Sequence, residues 1–309
     1  MKLIRSSNKV SDIISDSKLK GKSIGFVPTM GFLHQGHISL IRKARKENDL
    51  VVVSIFVNPI QFGPNEDFKK YPRDIERDLA LINAEATDIA FYPDADRFYS
   101  KGFQTFVDVE KLGNVMCGLH RPGHFKGVCT VCAKLFNVVK PDRAYFGQKD
   151  YQQVLIIKRM VSDLNMDIKI RVLPIVREKD GLAMSSRNTY LSEEERQKAV
   201  LLYRSLCLAR ELIKSGERKT AFIKSRMLSL FSGCLCSGPE APPTTDGRSS
   251  LLAANAIKID YITVADADNL QEEKIIISRK TIVAIAAWVG KTRLIDNIIV
   301  KTVDSRFSR

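Results

Sequence analysis

The chain has 309 residues, 44% of them hydrophobic and 27% charged, which excludes global disorder and allows one large core or two modest ones. Its 49 Lys and Arg outnumber 35 Asp and Glu, leaving a formal net charge of +14. That excess is thin along most of the chain and fits the handling of small anionic metabolites; a nucleic-acid binder needs a concentrated patch with aromatics on the same face.

In chain order, Ser23–Val27 and Leu50–Val57 are rich in β-branched residues and read as buried strands, with Leu40–Lys46 between them as helix. That helix carries the one basic cluster, Arg42, Lys43, Arg45 and Lys46. Thr87–Tyr92 and Thr105–Val109 read as further strands, Gly127–Val139 as helix and Arg143–Phe146 as strand. Tyr151–Leu164 is helical by its spacing, and Ile168–Leu173 is again extended. Such alternation predicts an α/β fold, a doubly wound, Rossmann-like parallel sheet over residues 1–176. In such sheets ligands bind beyond the carboxyl ends of the strands.

The second half reads differently. Ser192 followed by Glu193, Glu194 and Glu195 is a helix start, opening a helix to about Lys214, and Thr220–Phe231 reads as another. Ile257–Val264, Thr281–Val289 and Leu294–Val300 then follow as strands without a long helix between them. These predict a smaller α+β domain over residues 177–309. The Gly, Pro, Ser and Thr of residues 232–254 predict a disordered insertion within it.

Three segments carry candidate chemistry. Pro28–His37 lies where the first strand gives way to a helix, and Gly31 and Gly36 allow backbone amides close to a ligand. His34 and His37, three apart, share one face of the first turn; they can cap the helix or stabilise charge as pyrophosphate leaves a nucleotide. A Walker A lysine is absent. Phe146–Gln153 is a second strand, glycine turn and helix start, where Lys149 could reach a triphosphate and Gln153 a polar substrate. Asp180–Asn188 sets Ser185 and Ser186 beside Arg187, either as phosphate donors or as a turn cluster.

Cys117, His120, His124, Cys129 and Cys132 fall close together and raise a zinc reading. The cysteine pair lies within a buried helical pattern and a second Cys-x-x-Cys is missing, so we expect core cysteines and no protein metal site. Arg121 and His124 could instead line an anion site. No run approaches the roughly 20 apolar residues of a membrane span, and Met1–Arg5 has no secretory-signal pattern. With six cysteines in so long a chain, reduced thiols in the cytoplasm are expected.

Together, Pro28–His37, Phe56–Phe62, Arg121–Phe125, Phe146–Gln153 and Gly181–Asn188, with Ala287–Asn297 near the end, closely resemble the pantothenate synthetases, or pantoate–β-alanine ligases. The family belongs to a nucleotidyltransferase superfamily whose two signatures look here like His34–His37 and Met184–Arg187, the second with Arg187 where many relatives carry lysine. The resemblance implies that magnesium and ATP activate (R)-pantoate as a pantoyl adenylate, which β-alanine attacks to give pantothenate and AMP. Met30, Gly31, Phe32, Leu33, His34, Gln35, Gly36 and His37 would hold ATP together with Gly147, Gln148, Lys149, Asp150, Val176, Met184, Ser185, Ser186 and Arg187. Gln61 and Gln153 would bind pantoate, Gln61 also lying near β-alanine, with Asn58 and Arg121 supporting that pocket. His37 is the family's usual proton donor, and His34, Lys149, Ser185, Ser186 and Arg187 would join it in stabilising phosphate charge. The resemblance further implies a homodimer and a Met184–Arg187 loop that closes over ATP. The chain departs from the family in the insertion after residue 232, where relatives run much shorter.

Overall fold

A computed structural model describes residues 1–64, 66–232, 257–277 and 279–301. Beyond Ser232, the expected insertion at 232–254 lies outside the described residues. The chain divides into two compact units, Met1–Val176 with Met184–Ser186, and Arg177–Ala183 with Arg187–Arg309.

The first unit runs β1 (Lys2–Ile4), α1 (Ser7–Leu19), β2 (Ile24–Thr29), α2 (Gln35–Glu47), β3 (Leu50–Ile55), α3 (Ile75–Ala84) and β4 (Ile89–Phe91). Three one-turn helices follow, α4 (Ala95–Phe98), α5 (Glu110–Gly113) and α6 (Cys117–His120). Then come α7 (His124–Val139), β5 (Arg143–Gly147), α8 (Tyr151–Asp163) and β6 (Lys169–Leu173). The six strands form one parallel sheet in the order β1-β4-β3-β2-β5-β6. β2 and β3 read as continuous apolar runs because both faces of a parallel sheet are covered. Val27, Val51, Val53 and Ile55 pack with Ile38, Ile41 and Ala44 of α2 and Ile82 of α3. Phe26, on the opposite face of β2, meets Phe136 of α7 edge-on.

This is the doubly wound sheet that the alternation predicts. From β2 the chain winds outward through β3 to β4, then returns to the other side of β2 for β5 and β6. That reversal opens a crevice at the carboxyl ends of β2 and β5, which pair at Gly25 with Arg143 and Phe26 with Ala144. The loop from Met30 and the loop from Gly147 both start there.

Thr105–Val109 is not a strand. Among the described residues no strand pairs with it; the Val107 N–H instead donates to Thr130 Oγ1 on α7 at 3.0 Å. Alternation alone does not make a ladder. β1, α1, α3 and the one-turn helices α4, α5 and α6 went unpredicted, β1 because three residues acquire strand structure only by pairing with β4.

The second unit carries α9 (Glu193–Lys214), α10 (Thr220–Ser229), β7 (Ile257–Asp266), β8 (Lys280–Val289) and β9 (Thr292–Lys301). Its strands form one antiparallel sheet, so it is the α+β part. α9 starts as read: Ser192 Oγ accepts the Glu195 N–H at 3.2 Å, and Glu195 Oε2 accepts the Ser192 N–H at 2.9 Å. Leu202, Leu206 and Ile213 of α9 join Ile223 and Met227 of α10 and Val283, Ile285 and Leu294 of the sheet in one core. Arg177, at the start of the 177–183 turn, forks onto Asp296 of β9 at 2.6 and 2.9 Å. It also donates to Gly181 O at 3.0 Å and lies 4.0 Å over the Tyr203 ring. Among the described residues no helix is long and apolar enough to cross a membrane.

Candidate functional site

The loop that leaves β2 is held from beneath by one carboxylate. Gly31 takes φ +84°, and a Cβ there would come within 3.0 Å of both Asp78 Oδ2 and Ile55 Cγ2, so both conformation and space require glycine. Asp78, in the first turn of α3 and 1% exposed, accepts the Phe32 N–H at 2.6 Å and the Leu33 N–H at 2.7 Å. Burial pushes this carboxyl above its ordinary range against the pull of those two amides and Arg77. Arg77 adds a bond to Leu33 O at 2.9 Å. The backbone of the expected ATP loop is thereby fixed before any ligand arrives.

The two histidines begin α2 as its cap. His34 Nδ1 accepts the Gly36 N–H at 3.1 Å, and His37 Nδ1 accepts the His34 N–H at 3.3 Å. The ring centroids are 4.1 Å apart. An imidazole whose Nδ1 accepts a hydrogen bond carries its proton on Nε2. Both rings are thus neutral with Nε2–H as a donor. The capping and phosphate-binding readings therefore do not compete: capping sets the tautomer that phosphate binding would need.

Burial, then the neighbouring His34 and Lys149, push the His37 imidazole well below its ordinary 6.5. The unfolded chain takes up a proton near pH 6.5 that the folded imidazole refuses, so stability must fall as pH falls through that value. We expect unfolding free energy to drop between pH 7.5 and 5.5 by a smaller amount in His37→Ala than in the parent chain. Urea titrations at the two pH values check this, and equal drops would place His37 at an ordinary pKa.

The second loop, Gln148–Asp150, is a single 3-10 turn between β5 and α8. Lys149 Nζ lies 3.8 Å from Asp150 Oδ1, and its side chain is 20% exposed. Gln153 is half-buried in the first turn of α8, and its amide makes no hydrogen bond among the described residues. Its neighbour Gln152 is wholly engaged: Oε1 accepts the Cys117 N–H at 3.0 Å, and Nε2 donates to Leu112 O and Val115 O at 2.8 and 2.7 Å. Of the adjacent glutamines, Gln152 shapes the 112–117 segment and Gln153 is available to a ligand.

Gln61 ends the Pro59–Gln61 turn and is 8% exposed. Its Nε2 lies 3.1 Å from the Met30 thioether, so the Gln61 side chain adjoins the histidine loop. A Cβ on Gly127 of α7 would collide with Ile60 O and sit 2.6 Å from Gln61 Cα; only glycine lets this turn seat on the helix. Asn58, 1% exposed, donates to Gln61 Oε1 at 3.0 Å and to Gly127 O at 3.1 Å.

Arg121 and His124 are engaged with protein groups. Arg121 forks onto Glu66 at 2.7 and 2.5 Å and donates to His124 Nε2 at 2.9 Å. His124 Nδ1 in turn donates to Gln61 O at 2.9 Å. Burial raises the Glu66 carboxyl, but the Arg121 hydrogen bond and charge outweigh it and hold the group below its ordinary range. Arg121 is therefore tied to the Gln61 backbone, through His124 and by its own 3.5 Å contact with Gln61 O.

In the third segment Met184 N donates to Val176 O at 3.0 Å, and Ser186 Oγ donates to Phe32 O at 3.1 Å. Ser185 and Ser186 close the first unit. Arg187 and Asn188 belong to the second, where Asn188 Nδ2 bonds Glu178 Oε1 at 2.7 Å and Ala183 O at 3.1 Å.

Cys129 and Cys132 are buried on α7. Burial pushes the Cys129 thiol up to about 12 and Cys132 higher still, which keeps both protonated and poor metal ligands. No group of three His, Cys, Asp or Glu among the described residues is placed to hold a metal ion. Asp78 and Gly127 escaped the sequence reading: an acid in a helix's first turn and a glycine in an apolar helix each look ordinary until the tertiary contact is seen.

The family model described as pantoate-beta-alanine ligase matches residues 2–299. A pantothenate synthetase of Fervidobacterium nodosum is 52% identical over 301 residues, 97% of this chain and 99% of that protein. A crystal structure of pantothenate synthetase from Thermus thermophilus superposes with a TM-score of 0.85 at 40% identity, covering 96% of this chain and 99% of that one. One of a Francisella tularensis pantoate-beta-alanine ligase, complexed with beta-gamma ATP and beta-alanine, gives 0.73 at 33% identity and 97% of both chains.

Proposed function

The chain belongs to the pantoate–β-alanine ligase family, and from that premise we propose that it forms pantothenate through an enzyme-bound pantoyl adenylate, releasing AMP and pyrophosphate. The overall reaction is the ATP-dependent condensation of pantoate with β-alanine, and the enzyme is a carbon–nitrogen ligase. A carboxylate is a poor acyl donor to an amine because its leaving group would be oxide; adenylation substitutes AMP. The protein must therefore stabilise charge on the α-phosphate and the departing pyrophosphate, and then keep water from the anhydride.

One observation carries the reading: two neutral Nε2–H donors, held by the start of α2 at the switch point of the sheet and backed by the Lys149 charge. In this reading the Met30–His37 loop and Gly147–Asp150 receive the triphosphate. Ser185, Ser186 and Arg187 add donors, and Val176 and Met184 border the nucleotide. Gln61 and Gln153 hold pantoate, with Asn58 and Arg121 supporting Gln61. His37 donates a hydrogen bond to phosphate oxygen in its neutral form, since its depressed pKa leaves it without a spare proton at neutral pH.

Magnesium fits as the counter-ion of ATP. Asp78 spends both oxygens on backbone amides, so the donors would be phosphate oxygens and water, with Asp150, 44% exposed, the nearby loop acid. When bound, the ion neutralises triphosphate charge. We also assign the enzyme to the cytoplasm as a homodimer, on the family resemblance and the cysteine usage; sedimentation checks the dimer.

The deciding experiment incubates the protein with ATP, pantoate and β-alanine and identifies products by mass. AMP, pyrophosphate and pantothenate should appear in equal amounts, with nucleotide cleavage strictly dependent on pantoate. Stoichiometric ADP and orthophosphate would replace the adenylate with an acyl phosphate.

A further inference from the structure

Gln61 can bind a ligand through either end of its amide, and three neighbours decide which end faces outward. The anchor is the Gly127 carbonyl of α7, which can only accept. Asn58 must therefore turn its Nδ2 toward Gly127 O, at 3.1 Å. Its Oδ1 then points the opposite way, where the Tyr99 hydroxyl donates to it at 2.8 Å. The second Asn58 N–H donates to Gln61 Oε1 at 3.0 Å. With its carbonyl end taken, Gln61 presents its NH₂, whose contact within the protein is the weak Met30 thioether acceptor at 3.1 Å.

Tyr99 lies outside the site described above, just past α4, yet its ring is held on several sides. The rings of Phe98 and Phe103 are 5.3 and 5.0 Å away, and Phe56 is 6.1 Å away. Lys134 Nζ lies 5.5 Å from the Tyr99 centroid. Burial pushes the phenol well above its ordinary range, so the hydroxyl remains a donor throughout the working pH range.

We propose that Tyr99 is a positioning residue for the acid substrate: with the Gly127 carbonyl it locks the Asn58 amide, and so forces Gln61 to offer N–H rather than C=O to the oxygens of pantoate. Removing the hydroxyl leaves Asn58 Oδ1 buried without its donor, so that the Gly127 carbonyl alone opposes a joint rotation of the two amides. A ligand rich in oxygen acceptors then meets the wrong end of Gln61 part of the time. The inference rests on pantoate binding at Gln61.

The test is a double-mutant cycle on Tyr99→Phe and Gln61→Ala, with kcat and KM measured for pantoate and for ATP. The net worth of one such hydrogen bond predicts that Tyr99→Phe lowers kcat/KM for pantoate about 3- to 10-fold. KM for ATP should stay within about twofold, and the thermal unfolding midpoint of Tyr99→Phe confirms that the variant is folded. In the Gln61→Ala background the same change should lower kcat/KM less than about twofold, because there is no amide left to orient. An equal loss in both backgrounds, an equal rise in KM for ATP, or no loss at all overturns the proposal. If instead Gln61→Ala leaves pantoate kinetics untouched, the assignment of the pantoate pocket fails first.

Discussion

Replacing His37 by alanine should slow adenylate formation by about 10²–10³-fold, the usual cost of removing one preorganised donor from developing charge. Lys149→Ala should act on the same step to a similar degree, because its charge faces the same imidazole. The aminolysis step should suffer much less when synthetic pantoyl adenylate is supplied, since pyrophosphate has already gone. Single-turnover kinetics on ATP plus pantoate, set beside aminolysis of the supplied adenylate, separates the two. If His37→Ala slows both steps equally, the ring acts in proton transfer or in holding the loop, and phosphate charge is not its target. Gln61→Ala provides the contrast: touching pantoate first and the amine later, it should impair both halves.

A comparably large effect on stability is expected within the second unit. Arg177→Met should destabilise the second unit by about 3–5 kcal/mol, because it leaves the Asp296 carboxylate buried without its guanidinium. The Asp296 side chain is only 2% exposed, so water cannot replace the lost partner. Methionine keeps much of the side-chain volume over Tyr203, which separates lost charge from lost packing. Urea unfolding followed by α9 helicity measures the change, and a loss below about 1 kcal/mol would show the pair to be dispensable. Adding Asp296→Leu to Arg177→Met should recover much of the loss, since no buried charge then remains.

How much of this was legible in advance depended on whether a residue's role is local. The start of α9 could be read because Ser192 and Glu195 make their bonds within one turn. The Met30–His37 segment could be read because a strand end, glycines and paired histidines lie together in the chain. Asp78 could not: it follows the loop it supports by more than forty residues and has the composition of any helix N-terminus. Tyr99 and Gly127 escaped for the same reason, since the Asn58–Gln61 turn that gives them meaning is distant in sequence. Thr105–Val109 fails from the other side, alternating like a strand where none of the described strands completes a ladder. Arg121 was read as a support of the Gln61 turn, which it reaches through His124, but its pairing with Glu66 depends on a loop whose approach no local pattern records.

The chain writes one helix-start device twice, with different letters. At α9 a hydroxyl and a carboxylate close the reciprocal pair of bonds; at α2 two imidazoles do so. Serine at 34 and glutamate at 37 would begin α2 with the better-suited capping chemistry, and would erase both uncharged donors in the same stroke. On the proposed role of the two histidines, thermostability selection run without an activity screen would be drawn toward a slower enzyme at these two positions. If the two histidines serve the phosphates as proposed, the first turn of α2 is where greater robustness and turnover pull against each other.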